Sequence, residues 1–181
     1  MRIFAPLAAF ALALLPSAAI PALPTGAAAP DFTTSGALAG RPFRLNLAEQ
    51  LRNGPVVLYF YPRAFTAGCT AEAHAFSEAS ADFRAAGARV IGMSADDYEA
   101  LRRFSVEACR NEFPVATASA DTVRAYDVHL REGVTNRTSY VIAPNGRIIY
   151  AYSDMDWRNH VPNTLAAVRQ WRAEQQRAAR R

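Results

Sequence analysis

Apolar and polar positions along the chain alternate between two periods. Pro55 to Tyr61 (PVVLYFY) is a short β-branched and aromatic run without a charge, which predicts a buried strand. From Ala67 to Ala86, Phe76, Ala79 and Phe83 recur at helical spacing, and Gly87 is a suitable stop. Ala88 to Met93 predicts a second strand. Ser94 and Asp96 are capping candidates for a helix from about Asp97 to Arg110, with Leu101, Phe104 and Ala108 on its apolar face. Pro114 forbids its continuation.

The second half repeats the alternation with shorter pieces. Phe113 to Ala116 reads as a short strand and Asp121 to Tyr126 as a short helix. Arg137 to Ala143 and Arg147 to Ser153 form a hairpin through Pro144-Asn145-Gly146, where Asn and Gly are expected to supply positive φ. A last helix, Val161 to about Gln176, turns Leu165, Val168 and Trp171 inward. The region around Pro30, Gly36, Gly40 and Pro42 reads as an irregular lead-in. A βαβ unit followed by a hairpin and a helix is the order of a thioredoxin-like fold: α/β, with a central mixed sheet flanked by helices and an insertion between its halves. No internal repeat or second domain is visible.

Composition narrows the class. With 181 residues, 51% hydrophobic and 20% charged, the chain is a single globular domain, and its two cysteines are too few for a disulfide scaffold or a four-cysteine zinc site. Residues 1–29 carry one charge, Arg2, then the apolar run Ile3 to Leu15, broken by Pro6 and ended by Pro16. That run is shorter than the ~20 residues a membrane-spanning helix needs, so the segment reads as a secretory signal peptide. Cleavage candidates are Ser17-Ala18-Ala19 and Gly26-Ala27-Ala28. The expected product is an exported, periplasmic domain over 30–176 with a basic tail, 177–181, and no stable membrane association once the signal is removed. All 20 basic residues are Arg against 16 acidic ones, a net +4; losing Arg2 leaves 19 against 16, or +3, without a like-charge block. No nucleic-acid footprint follows.

Export makes a structural disulfide between Cys69 and Cys109 a real competitor for any catalytic role. The surroundings of Cys69 favour chemistry. The residue lies where the first buried strand gives way to a helix, and a helix's first turn has free backbone N–H groups and a positive dipole end, both favouring thiolate over thiol. Thr66 precedes Cys69 by three residues, Gly68 permits close approach to the backbone, and Pro62 ends the strand stiffly and shields the thiolate from water.

Pro62-x-x-x-Thr66-x-x-Cys69 resembles the active-site signature of peroxiredoxins, and Thr66-Ala-Gly-Cys69-Thr70-Ala-Glu72-Ala is similar to the bacterioferritin-comigratory, or Q-type, branch. The resemblance extends over roughly residues 29–172, including the Arg137-Thr-Ser-Tyr-Val-Ile-Ala-Pro-Asn-Gly run; Ala67 stands where that branch usually has Pro. It implies a thioredoxin-like domain with a peroxiredoxin-type N-terminal extension and insertion. It makes Cys69 the peroxidatic nucleophile, has Thr66 and Gly68 meet the peroxide, and gives Arg137 the task of stabilising the thiolate and the developing oxyanion, with Glu72 in support. Such an enzyme reduces hydrogen peroxide and organic hydroperoxides through a Cys69 sulfenic acid, needs no metal or organic cofactor, and is recycled by a thioredoxin-like dithiol reductant. Q-type relatives imply a monomer or weak dimer.

Cys109 has two readings. Some members place a resolving cysteine five residues after the nucleophile, where this chain has His74; others place it near the position of Ser105, one helical turn from Cys109. Cys109 is either that resolving thiol or a buried inert one in a one-cysteine enzyme. His74, His129 and His160 are too scattered for a metal site and read as surface or satisfied histidines. The alternatives are a thiol-disulfide reductase, for which a Cys-x-x-Cys pair is missing, and a non-enzymatic exported redox-sensing or metal-delivery protein, for which a ligand set is missing.

Overall fold

A computed structural model describes residues 22–181. The chain runs β1 (Thr33–Leu38), β2 (Arg41–Asn46), α1 (Leu47–Leu51), β3 (Val56–Phe60), α2 (Ala67–Glu78), α3 (Ser80–Ala85), β4 (Arg89–Ser94), α4 (Tyr98–Glu107), β5 (Val115–Thr117), α5 (Ala120–Ala125), β6 (His129–Arg131), β7 (Val134–Thr135), β8 (Thr138–Ile142), β9 (Ile148–Ser153), a 3-10 turn (Trp157–Asn159) and α6 (His160–Ala178). One mixed sheet of seven strands has the order β2-β1-β5-β4-β3-β8-β9, and β6 and β7 pair separately. The strands β3, β4 and β5 are parallel; the other neighbours are antiparallel.

The predicted strand around Val57 is buried throughout because both faces of the sheet are covered. Val57, Tyr59 and Tyr61 join Phe76, Phe83, Phe104, Leu165 and Val168 in one core layer. Val56, Leu58 and Phe60, pointing the other way, join Leu47, Leu51, Val123 and Tyr126 in the second. The thioredoxin-like architecture read from the sequence is the observed one.

Several boundaries differ for identifiable reasons. The helix expected from Ala67 to Ala86 is two helices, because the Ser80 hydroxyl donates to the Phe76 carbonyl and the backbone bends at Ala79. The lead-in contains the β1–β2 hairpin, turned by Ala39 and Gly40 at φ 51° and 72°; Pro42 is accommodated because β2 is an edge strand. In the β8–β9 connection, Gly146 has positive φ and Asn145 does not. The Gly146 N–H closes a three-residue loop onto Ala143 O with the glycine left-handed, and a separate bulge in β9 shifts the ladder register between Val141 and Ile142. Asp97, rather than Ser94 or Asp96, caps α4 by accepting from the Ala100 N–H.

The apolar leader run lies outside the described residues. Ala22 to Ala29, however, packs against the domain. Gly26 N–H donates to Ile148 O at 2.7 Å, Ile148 N–H to Ala27 O at 2.9 Å, Ala29 N–H to Gly146 O at 2.8 Å, and Leu23 N–H to the Tyr140 hydroxyl at 3.0 Å. Ala22, Leu23, Ala27 and Ala29 rest on the second core layer. No helix among the described residues is long and apolar enough to cross a membrane. Helix α6 continues to Ala178, into the stretch read as a tail.

Candidate active site

Strand β3 delivers the chain to the site. Past Phe60, Tyr61 N–H still donates to Met93 O, so the parallel pairing with β4 extends to the loop itself. Asp96 then fastens that loop: its Oδ2 accepts from the Ala64 N–H at 2.7 Å and the Ser94 hydroxyl at 2.8 Å. Pro62 is half-buried at the strand exit. Phe65 takes φ 63°, a costly conformation for a bulky residue, and its ring packs edge-on against Phe104 at 5.2 Å beneath the Arg103 guanidinium. The active-site loop is thereby joined to α4.

Thr66 occupies the N-cap position of α2 in extended conformation. Its hydroxyl does not cap; it donates to Arg63 O at 3.0 Å and stays exposed at the helix mouth. Thr70 N–H to Thr66 O at 2.9 Å is the first helical bond, so the amide of Cys69, the third helical residue, lies among the free first-turn donors. Cys69 itself is 1% exposed, just beneath the half-buried Gly68.

Arg137 reaches the sulfur from the adjacent strand. The β3–β8 register pairs Phe60 with Thr138, which sets Arg137 beside the end of β3. Its Nη2 donates to Cys69 Sγ at 3.4 Å, its Nη1 to Glu72 Oε2, and its Nε to Met155 O at 3.0 Å. Glu72 stands three residues after Cys69, on the same face of α2. Both members of this ion pair are buried. Burial pushes Glu72 up to about 8 against the pull of Arg137. Burial also works against the charge on Arg137, but Glu72 and Cys69 outweigh it and hold the guanidinium protonated. A Cβ on Gly68 would stand 3.5 Å from Arg137 Nη2 and 3.8 Å from Trp157 Cδ1, so the glycine leaves this approach open.

The structure brings Cys69, Glu72 and Arg137 into contact with Gly68 beside the guanidinium, while Thr66 stands at the mouth of α2 and Pro62 at the exit of β3. Cys109 is a free buried thiol in the same core layer as Cys69, and burial pushes its pKa strongly up. Its N–H donates to Phe104 O, and the next two residues, Arg110 and Asn111, are both left-handed at φ 50° and 64°. Ser105 is a structural residue: its hydroxyl accepts from Gly40 N–H at 3.0 Å and donates to Arg102 O at 2.7 Å. No group of three or more potential metal-ligating side chains occurs among the described residues. His160, read from the sequence as bland, is buried at this site with Nδ1 3.9 Å from Glu72 Oε1. No local pattern announces it, because the β8 and α6 contacts that bring it there are remote in sequence.

A thioredoxin-like sheet with a helix-start cysteine facing a buried arginine from the neighbouring strand is the architecture of the peroxiredoxin class. The AhpC/TSA family matches residues 25–151, and the chain belongs to that family. Its relatives are of the Q-type branch. It is 33% identical over 144 residues to a chloroplastic peroxiredoxin Q of Oryza sativa subsp. japonica, a match covering 77% of this chain and 64% of the relative. It is 31% identical over 137 residues to a putative peroxiredoxin of Mycobacterium tuberculosis, covering 72% and 86%. Among solved structures, peroxidoxin BcpB from Mycobacterium tuberculosis superposes with a TM-score of 0.71 at 30% identity, covering 81% of this chain and 96% of that one. The reduced Plasmodium vivax 2-Cys peroxiredoxin, at 20% identity and TM-score 0.76 over 84% and 98%, shares the fold.

Proposed function

We propose that the protein is a thiol-dependent peroxidase acting on hydrogen peroxide and organic hydroperoxides. The observation that carries this reading is the Arg137 guanidinium bonded at once to Cys69 Sγ and Glu72. The Cys69 thiolate attacks the nearer peroxide oxygen, the O–O bond breaks, and the departing oxygen takes a proton to leave as water or alcohol while Cys69 becomes a sulfenic acid. The electron pair shifts onto an oxygen within reach of Arg137, whose fixed charge stabilises it. Thr66, exposed at the helix mouth, and Gly68 form the approach for the peroxide.

Cys109 resolves the sulfenic acid in this scheme. Its sulfur attacks Cys69, water leaves, and a thioredoxin-type dithiol reduces the resulting disulfide. The consecutive left-handed residues Arg110 and Asn111 support this role, since opening the chain after α4 releases their backbone strain. Reduced protein treated with one equivalent of peroxide and analysed by mass spectrometry tests both steps. Wild type should lose two hydrogens and give a Cys69–Cys109 crosslinked peptide, and Cys109→Ser should gain one oxygen on Cys69. A wild type that retains one oxygen on Cys69 and forms no crosslink is a one-cysteine enzyme; a chain whose mass does not change is not a peroxidase.

Export to the periplasm belongs to the same proposal. The apolar run ahead of Pro16 supports a leader, and the bonding of Ala22 to Ala29 onto β8 and β9 favours cleavage after Ala19 over cleavage after Ala28. The amino-terminal mass of the exported protein checks it.

A further inference from the structure

Met155 and Asp154 hold Arg137 by backbone alone: Asp154 N–H donates to Arg137 O at 3.2 Å, and Met155 O accepts from Arg137 Nε at 3.0 Å. His160 grips the same two-residue segment from its other side, with Nε2 2.9 Å from Asp154 O. A carbonyl only accepts, so Nε2 carries the ring hydrogen. Burial pushes the ring down to about 4, which makes it neutral near pH 7. Nδ1 is therefore bare and takes the Ser139 hydroxyl at 2.8 Å. On that side it also faces Glu72 Oε1, a buried oxygen without a hydrogen-bond partner. Tyr152 meets the ring edge-on at 4.8 Å, and Arg137, Asp154 and Asp156 are the remaining charged groups acting on it.

We propose that His160 is a positioning residue for Arg137: in its Nε2–H tautomer it fixes the Asp154–Met155 backbone and so sets how the guanidinium meets the Cys69 sulfur. This rests on the reading of Cys69 as a peroxide-reactive thiol. Removing the ring N–H leaves Asp154 O without its partner and loosens the segment that orients Arg137, which the Asp154 carboxylate still ties to the Tyr152 hydroxyl and the Asp156 N–H, without touching the sulfur.

The test compares Cys69 oxidation by hydrogen peroxide with its alkylation by iodoacetamide, which develops no oxyanion. His160→Leu should slow oxidation by about tenfold or more and alkylation by much less. His160→Gln, which keeps an N–H donor, should come back to within about threefold of wild type. Equal losses in both reactions, an unaltered oxidation rate in the Leu variant, or a Gln variant as slow as Leu would overturn the proposal. Should the Leu variant fail to fold, ring ¹⁵N shifts of the wild-type protein decide: a protonated Nε2 with bare Nδ1 at about pH 7 is expected, and the opposite tautomer or an imidazolium overturns it. A wild-type Cys69 inert to peroxide would instead reject the peroxidase reading, while the ¹⁵N result would still report on the histidine.

Discussion

Arg137 Nη2 lies 3.4 Å from Cys69 Sγ, while the same guanidinium is held by Glu72 and by Met155 O. Arg137→Ala should therefore slow oxidation of Cys69 by peroxide about 10²–10³-fold in stopped-flow measurements. Arg137→Lys should recover little of it, since an ammonium cannot occupy three directions of a planar fork. Wild-type rates in the Ala variant would remove Arg137 from the chemistry.

Glu72 sets a pH dependence of stability. Its folded pKa is raised from 4.5 to about 8, so the native state binds the carboxyl proton more tightly than the unfolded chain does. That contribution is fully present below pH 4.5 and is lost as pH rises through about 8. Glu72→Gln has no such proton, so urea denaturation at about pH 5 and about pH 8.5 should show wild type losing ground to the variant at the higher pH. A pH-independent difference between the two would contradict the raised carboxyl.

Gly68 keeps the approach to Arg137 open, and its backbone is helical rather than left-handed. Gly68→Val should lower the second-order rate with hydrogen peroxide by about tenfold, and more for a bulky hydroperoxide, with an unfolding free energy within about 1 kcal/mol of wild type. Equal reactivity toward both peroxides in variant and wild type would show that substrate enters elsewhere.

Cys109 acts at the alkaline end. Burial raises its thiol above the ordinary 9.0, so its contribution is present below about pH 9 and is lost as the unfolded thiol ionises. The stability margin of wild type over Cys109→Ala should shrink by up to ~1.4 kcal/mol per pH unit above that point. Thermal or urea unfolding at a series of alkaline pH values measures it.

How much of this was legible in the sequence depends on where the information resides. Strand β3, the start of α2 and the Pro62, Thr66, Cys69 cluster are local, and periodicity with residue type was enough to find them. Arg137 required the family resemblance, because only the β3–β8 register brings it to the sulfur. The β1–β2 hairpin escaped because Ala39 bears a conformation that its side chain does not advertise. His160 escaped for a different reason: its partners at Asp154 and Ser139 include a backbone carbonyl and a hydroxyl, groups that leave no mark in residue spacing. The break between α2 and α3 hangs on one serine hydroxyl returning to Phe76 O, a choice between competing bonds that propensity does not decide.

The segment from Ala22 to Ala29 lies on the sheet face opposite the layer that contains Cys69. Anything joined ahead of Ala22, whether a fusion partner, an affinity handle or a surface linker, would therefore leave from the back of the molecule. The protein can be immobilised by that end with the mouth of α2, above the buried Cys69, left facing the surrounding fluid.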